Sequence, residues 1–142
     1  MSESVVTTLN LIEGYKFRAD FGAAGVPSLV VDELMPIGAG AGPSPILLLS
    51  VAVGHCLSSS LLFCLQKSRI KANDLKTTVV ANKAKNQGDR LRVANIEVKI
   101  QLSVNEEDKT RVQRCLNIFE NYCTVTQSVM QGIKVNVDIT KI

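Results

Sequence analysis

From Ile46 to Leu65 the chain runs for 20 residues without one Asp, Glu, Lys or Arg. Wound as a helix, such a stretch is about 30 Å long, enough to cross a bilayer or to form the buried axis of a folded domain. Four serines, a glycine, a histidine and two cysteines interrupt its apolar character, and amphipathic strand patterns on both sides would be left without a core if it entered a membrane. The expectation is therefore a core helix over about residues 44–67, with no membrane partner. Being apolar all round, it needs cover on every face, which one chain of 142 residues does not readily supply. A second subunit is implied.

The rest of the chain supports a single domain over residues 1–142. With 46% hydrophobic and 20% charged residues it can bury a core, and it has neither the composition of a disordered chain nor that of a collagen-like one. Val5 to Ile12, Tyr15 to Phe21 and Ser28 to Leu34 have β character and are punctuated by Glu13-Gly14 and by Gly22 to Pro27, so residues 1–37 read as a three-stranded meander. The Gly38-Ala-Gly-Ala-Gly-Pro-Ser-Pro45 loop follows, with Ser44 placed to cap the long helix and Pro45 suited to its first turn. This loop lacks the Gly-Lys-Ser/Thr ending that a phosphate cradle requires.

In residues 75–142 the pattern alternates again. Leu75 to Lys83 and Leu91 to Val104 form a hairpin with one wet face, turned by Asn86 to Asp89. Asn105 and the acidic turn Glu106 to Asp108 open a helix whose apolar stripe is Val112, Cys115, Leu116, Phe119, Tyr122 and Cys123. A short helix over Thr124 to Gln131 stops at Gly132, and Ile133 to Ile142 reads as a closing strand. The class is α+β.

Net charge is +3, and the nine basic against three acidic residues between Lys67 and Lys99 lack the aromatic side chains that base stacking would use. Those charges read as the solvated faces of the hairpin, so no nucleic-acid partner is expected. Cys56, Cys64, Cys115 and Cys123 contain no CxxC spacing and follow no secretory leader, which points to a reducing, cytoplasmic compartment. With a single histidine there is no metal-ligand spacing, and no bound cofactor is expected.

On helix geometry Cys64 lies about 12 Å along the axis from Cys56 and about 80° around it, so those two cannot bridge. The same separation applies to Cys115 and Cys123, and any useful pair joins the central helix to the late one. Cys64 and Cys115 read as small core hydrophobes. Cys56 sits in the only polar cluster of the helix and shares a face with Leu49, Ala52, Ser59, Ser60 and Phe63, an oily wall with hydroxyls to one side. His55 projects about 100° away and reads as a buried imidazole satisfied by a backbone carbonyl. The N-terminus of the central helix is too distant to acidify the Cys56 thiol, so something outside that helix must do it.

The Gly-rich turn, the Ser-Pro helix start, Gly54-His55-Cys56 and Tyr122-Cys123-Thr-Val-Thr together resemble the osmotically inducible protein C (OsmC) and organic hydroperoxide resistance (Ohr) superfamily. The resemblance implies an intertwined α+β homodimer, with antiparallel sheets around two buried central helices and each active site built from both subunits. It implies a thiol-dependent peroxidase in which Cys56 attacks an organic hydroperoxide, becomes a sulfenic acid and is resolved by Cys123, an external dithiol or lipoyl-type reductant then reopening the disulfide. Many members place a glutamate directly after the helix-starting proline or one residue later, where Ile46 and Leu47 stand here. Arg18 and Glu33 are the candidates for the missing charges. The alternative is a dimer of the same fold that binds a small apolar or thiol-bearing ligand with little or no turnover.

Overall fold

The computed structural model describes residues 3–142, in two compact units that meet between residues 49 and 50, inside the long helix. In the first unit three short strands, β1 (Thr8–Glu13), β2 (Lys16–Asp20) and β3 (Leu29–Val31), form an antiparallel meander in sequence order. Gly14 makes the first turn at a φ of 55°, which glycine adopts without the clash a Cβ would introduce. Arg18 is exposed on β2, flanked by Asn10 of β1 and Val30 of β3.

After β3 the Gly-rich loop folds around one carboxylate. Asp32 is only 3% exposed, and it accepts N–H bonds from Glu33 (2.8 Å), Ala39 (3.2 Å) and Ala41 (3.1 Å). The Ala41 N–H is the largest cause holding the Asp32 carboxyl below its ordinary value, opposed by burial and helped by the other two amides and the charge of Lys16. The loop N–H groups that a phosphate would need are thus directed at an internal anion. Gly38 packs so closely on the Asp32 side chain and the Glu33 carbonyl that a Cβ there would collide with both.

The long helix α1 (Pro45–Lys67) starts as the sequence indicates, with the Leu47 N–H donating to Ser44 Oγ at 3.4 Å. Its buried positions are Ser50, Val53, Gly54, Leu57, Leu61 and Leu65, a stripe at helical spacing. The expectation of burial on every face is not met within one chain: Val51 is 65% and Phe63 59% exposed, and His55 is exposed rather than buried.

That hairpin comprises β4 (Ala72–Lys85) and β5 (Leu91–Val104), paired antiparallel, and its turn is held by Asn86 Oδ1, which accepts the N–H groups of Gly88 and Arg90. The helix approaches it most closely at Gly54, where a Cβ would lie 2.6 Å from Val79 Cγ2. One turn further, Ser58 Oγ donates to the Gly54 carbonyl or shares a hydrogen with Thr77 Oγ1, at 2.7 and 2.5 Å.

The expected continuous helix after Asn105 is broken into a 3-10 turn (Glu106–Asp108), α2 (Gln113–Ile118) and a second 3-10 turn (Phe119–Tyr122). Asn105 makes no side-chain cap because its Oδ1 accepts from Asn73 Nδ2 at 2.9 Å. Arg111 instead organises the entry, pairing with Asp108 Oδ1 and donating to the Ser68 carbonyl, both at 2.6 Å. Helix α3 (Thr124–Gln131) ends before Gly132, at a φ of 79°. The closing strand expected over Ile133 to Ile142 is absent: these residues carry no assigned structure and are exposed. Alternation in sequence is insufficient without a neighbouring strand to take the backbone hydrogen bonds.

Candidate active site

Residues 50–142 bring Cys56 and Cys123 together from elements 67 positions apart in sequence. Cys56 is half-buried on α1 and lines a cavity of about 560 Å³ with Ser59, Ser60, Phe63, Cys64, Lys67, Tyr122 and Thr124. This is the oily wall with hydroxyls that the wheel of the helix indicates. Cys123 is 0% exposed and is the residue from which α3 starts. Both thiols are free, and Cys56 is among the groups that act on the Cys123 thiol.

A donor from outside α1 reaches the Cys56 sulfur, and it comes from the start of α3. The Val125 N–H, in the first turn of that helix and without a partner inside it, donates to Cys56 Sγ at 3.4 Å. Cys123 Sγ lies 3.0 Å from Thr126 Oγ1. Burial by itself would push the Cys123 thiol up. Hydrogen bonds from Cys56, from the Thr126 hydroxyl and N–H, and from Ser60 outweigh it and hold Cys123 below the ordinary thiol value. Of the two sulfurs, only that of Cys56 opens to the cavity.

Sequence reasoning locates both thiols and the face that Cys56 shares with Ser59, Ser60 and Phe63, but not the donors Val125 and Thr126. The Thr-Val-Thr run after Cys123 was the available signal. Tyr122, placed on the apolar stripe by its spacing, is 73% exposed at the cavity rim. Arg18 and Glu33 belong to residues 1–49, where Glu33 lines a separate cavity of about 470 Å³ beside Tyr15 and Phe17.

The other two cysteines correct an expectation. Cys64 and Cys115 are bridged, with Cα atoms 5.7 Å apart, rather than serving as isolated hydrophobes. The bridge ties α1 to α2 across 51 positions of sequence. Among the described residues no cluster of three or more His, Cys, Asp or Glu could hold a metal ion.

The chain thus has a three-stranded meander, a Gly-rich turn, a long helix bearing one free thiol and a late short helix that starts at a second. The family model for OsmC-like proteins matches residues 38–138, and this chain belongs to that family. Its fold resembles an OsmC-like protein from Mycoplasma pneumoniae, at 17% identity and a TM-score of 0.76, covering 99% of this chain and 98% of the other. An OsmC-like protein of unknown function from Vibrio cholerae superposes at the same TM-score of 0.76 with 14% identity, covering 90% and 94%. An organic hydroperoxide resistance protein from Elizabethkingia anophelis gives a TM-score of 0.65 at 14% identity, covering 91% and 89%. No curated protein matches the sequence.

Proposed function

We propose that this protein is a thiol-dependent peroxidase for organic hydroperoxides, with Cys56 as the peroxidatic and Cys123 as the resolving thiol. The observation that carries the reading is the meeting of a cavity-facing thiol with the segment that carries a fully buried one: the Val125 N–H, two residues after Cys123, donates to Cys56 Sγ at 3.4 Å. The Cys123 thiolate accepts the proton of Cys56, and the Cys56 thiolate formed, with the Val125 N–H at hand, attacks the terminal oxygen of R–O–O–H. The O–O bond breaks, the departing alkoxide takes a proton, and Cys56 becomes a sulfenic acid. Cys123, deprotonated again, attacks that sulfur, expels the hydroxyl as water on protonation and closes a disulfide. An external dithiol, of lipoyl type, reopens it by two exchange steps.

The cavity lining favours a hydroperoxide with an apolar body, and related structures with the same fold are described as organic hydroperoxide resistance proteins. A role for Arg18 and Glu33 as ionic partners rests on the resemblance alone. The protein acts as a homodimer in this reading, in the cytoplasm: the exposed side of α1, with Val51, Leu62 and Phe63, is an apolar surface of the kind a second copy covers, and beside β5 lies a groove of about 840 Å³ where Ile100, Leu102 and Leu116 meet Glu106, Lys109 and Gln113. Consumption of cumene hydroperoxide with dihydrolipoamide is the test. Cys56→Ser is expected to reduce turnover to background, and turnover that survives the substitution defeats the proposal.

One observation favours the second reading, a ligand-binding dimer with little turnover. Ile46 and Leu47 stand where many family members carry a glutamate. Absence of hydroperoxide consumption by reduced, folded protein, together with retention of an apolar ligand in the cavity, would select it.

A further inference from the structure

The Cys64–Cys115 bridge opens onto the same cavity as Cys56, but from one sulfur only. Cys64 is half-buried and lines the cavity, whereas Cys115 is 0% exposed. Ser68 Oγ lies 3.6 Å from Cys115 Sγ, and because a bridged sulfur carries no hydrogen, the serine hydroxyl is the donor. Lys67 lines the cavity too, its ammonium 5.4 Å from the centre of the Phe63 ring, and it places a positive charge where an incoming thiolate would pass. An attackable sulfur, a protected leaving sulfur with its own hydrogen-bond donor and a cation at the entrance are the parts of a thiol exchange site.

We propose that Cys64–Cys115 is a second redox-active centre, which small thiols entering this cavity open by attack at Cys64. The thiolate R–S⁻ forms a bond to Cys64 Sγ as the Cys64–Cys115 bond breaks. The electron pair leaves on Cys115 Sγ, which accepts the Ser68 hydroxyl hydrogen bond and then regains the proton that the incoming thiol released. With a dithiol, the second sulfur attacks the first, liberating the Cys64 thiol and carrying away a cyclic disulfide. Two electrons pass from the dithiol to the bridge. The exchange needs no hydroperoxide and does not depend on the chemistry assigned to Cys56.

The test uses the Cys56→Ser/Cys123→Ser double variant, so that the first pair contributes nothing to the readout. After incubation with dihydrolipoamide without denaturant, alkylation and mass spectrometry are expected to find Cys64 and Cys115 both labelled. Glutathione is expected to leave a mixed disulfide on Cys64 and not on Cys115, and Ser68→Ala to slow the opening severalfold. Labelling only after denaturation, an adduct on Cys115, or two unbridged thiols in air-oxidised protein would each overturn the proposal. Should the double variant not fold, the same mapping on the natural chain reads the Cys64 adduct separately from any on Cys56. A chain that lacks peroxidase activity yet exchanges at Cys64 would refute the proposed function and leave this inference standing.

Discussion

Cys123 begins α3 and keeps its sulfur away from solvent, so its charge is decided by three or four hydrogen bonds rather than by water. Because those bonds favour the ionised form, the Cys123 thiolate persists at a pH below the usual thiol range of about 8.5. Removing the Thr126 hydroxyl takes away one of the bonds that lower the Cys123 titration, which therefore moves upward. In Thr126→Ala the ultraviolet absorbance of thiolate is expected to rise at higher pH than in the natural chain, and hydroperoxide turnover at neutral pH to fall with it. An unchanged titration would mean that Thr126 is only a neighbour. The sequence singles out these two thiols because the Gly-rich turn, the Ser-Pro helix start, the Gly-His-Cys setting and the Tyr-Cys-x-Val setting occur together, each being a weak mark alone. Their donors were not legible there, because a hydroxyl and a backbone amide are chemically unremarkable until a fold aims them.

The long helix carries its signal within one segment, whereas the closing tail and the turn after Asn105 depend on neighbours that no local pattern names. The bounds of α1 follow from its Ser44 cap, its proline start and an uninterrupted apolar run. The tail over 133–142 alternates as a strand would, yet a strand is defined by the partner that accepts its hydrogen bonds. Asn105 has the composition of a cap but spends its side chain on Asn73, and the following turn winds as 3-10. Gly54 reads in the sequence only as a helix-weakening residue, and its reason emerges in the packing of α1 on β4. Gly54→Ala places a Cβ against the branched, rotamer-restricted Val79, and overpacking of this kind costs about 1–3 kcal/mol. Urea denaturation checks this, and an unchanged midpoint would show that the hairpin yields at no cost.

At the scale of the whole molecule, the bridge between Cys64 and Cys115 closes a loop of 51 residues. On the chain-entropy argument such a closure stabilises by about 4 kcal/mol at most. Cys115→Ser is therefore expected to unfold at a lower urea concentration than the natural chain under oxidising conditions, and the difference should shrink when both are reduced. Equal midpoints under oxidising conditions would mean that the bridge contributes little. The exposed apolar side of α1 and the groove beside β5 carry the last prediction. Analytical ultracentrifugation is expected to give twice the chain mass of 15.4 kDa, and a stable monomer would remove the second subunit from the proposed function.

From the order of residues alone follow the α+β class, the meander, the hairpin, the long helix and the two thiols, since each is written in a local period, a cap or a short motif. Which cysteine meets which, which sulfur faces the cavity and which amide points at it were decided only by tertiary structure. Those relations join residues dozens of positions apart, and no local pattern encodes a distance that depends on how helices and strands pack.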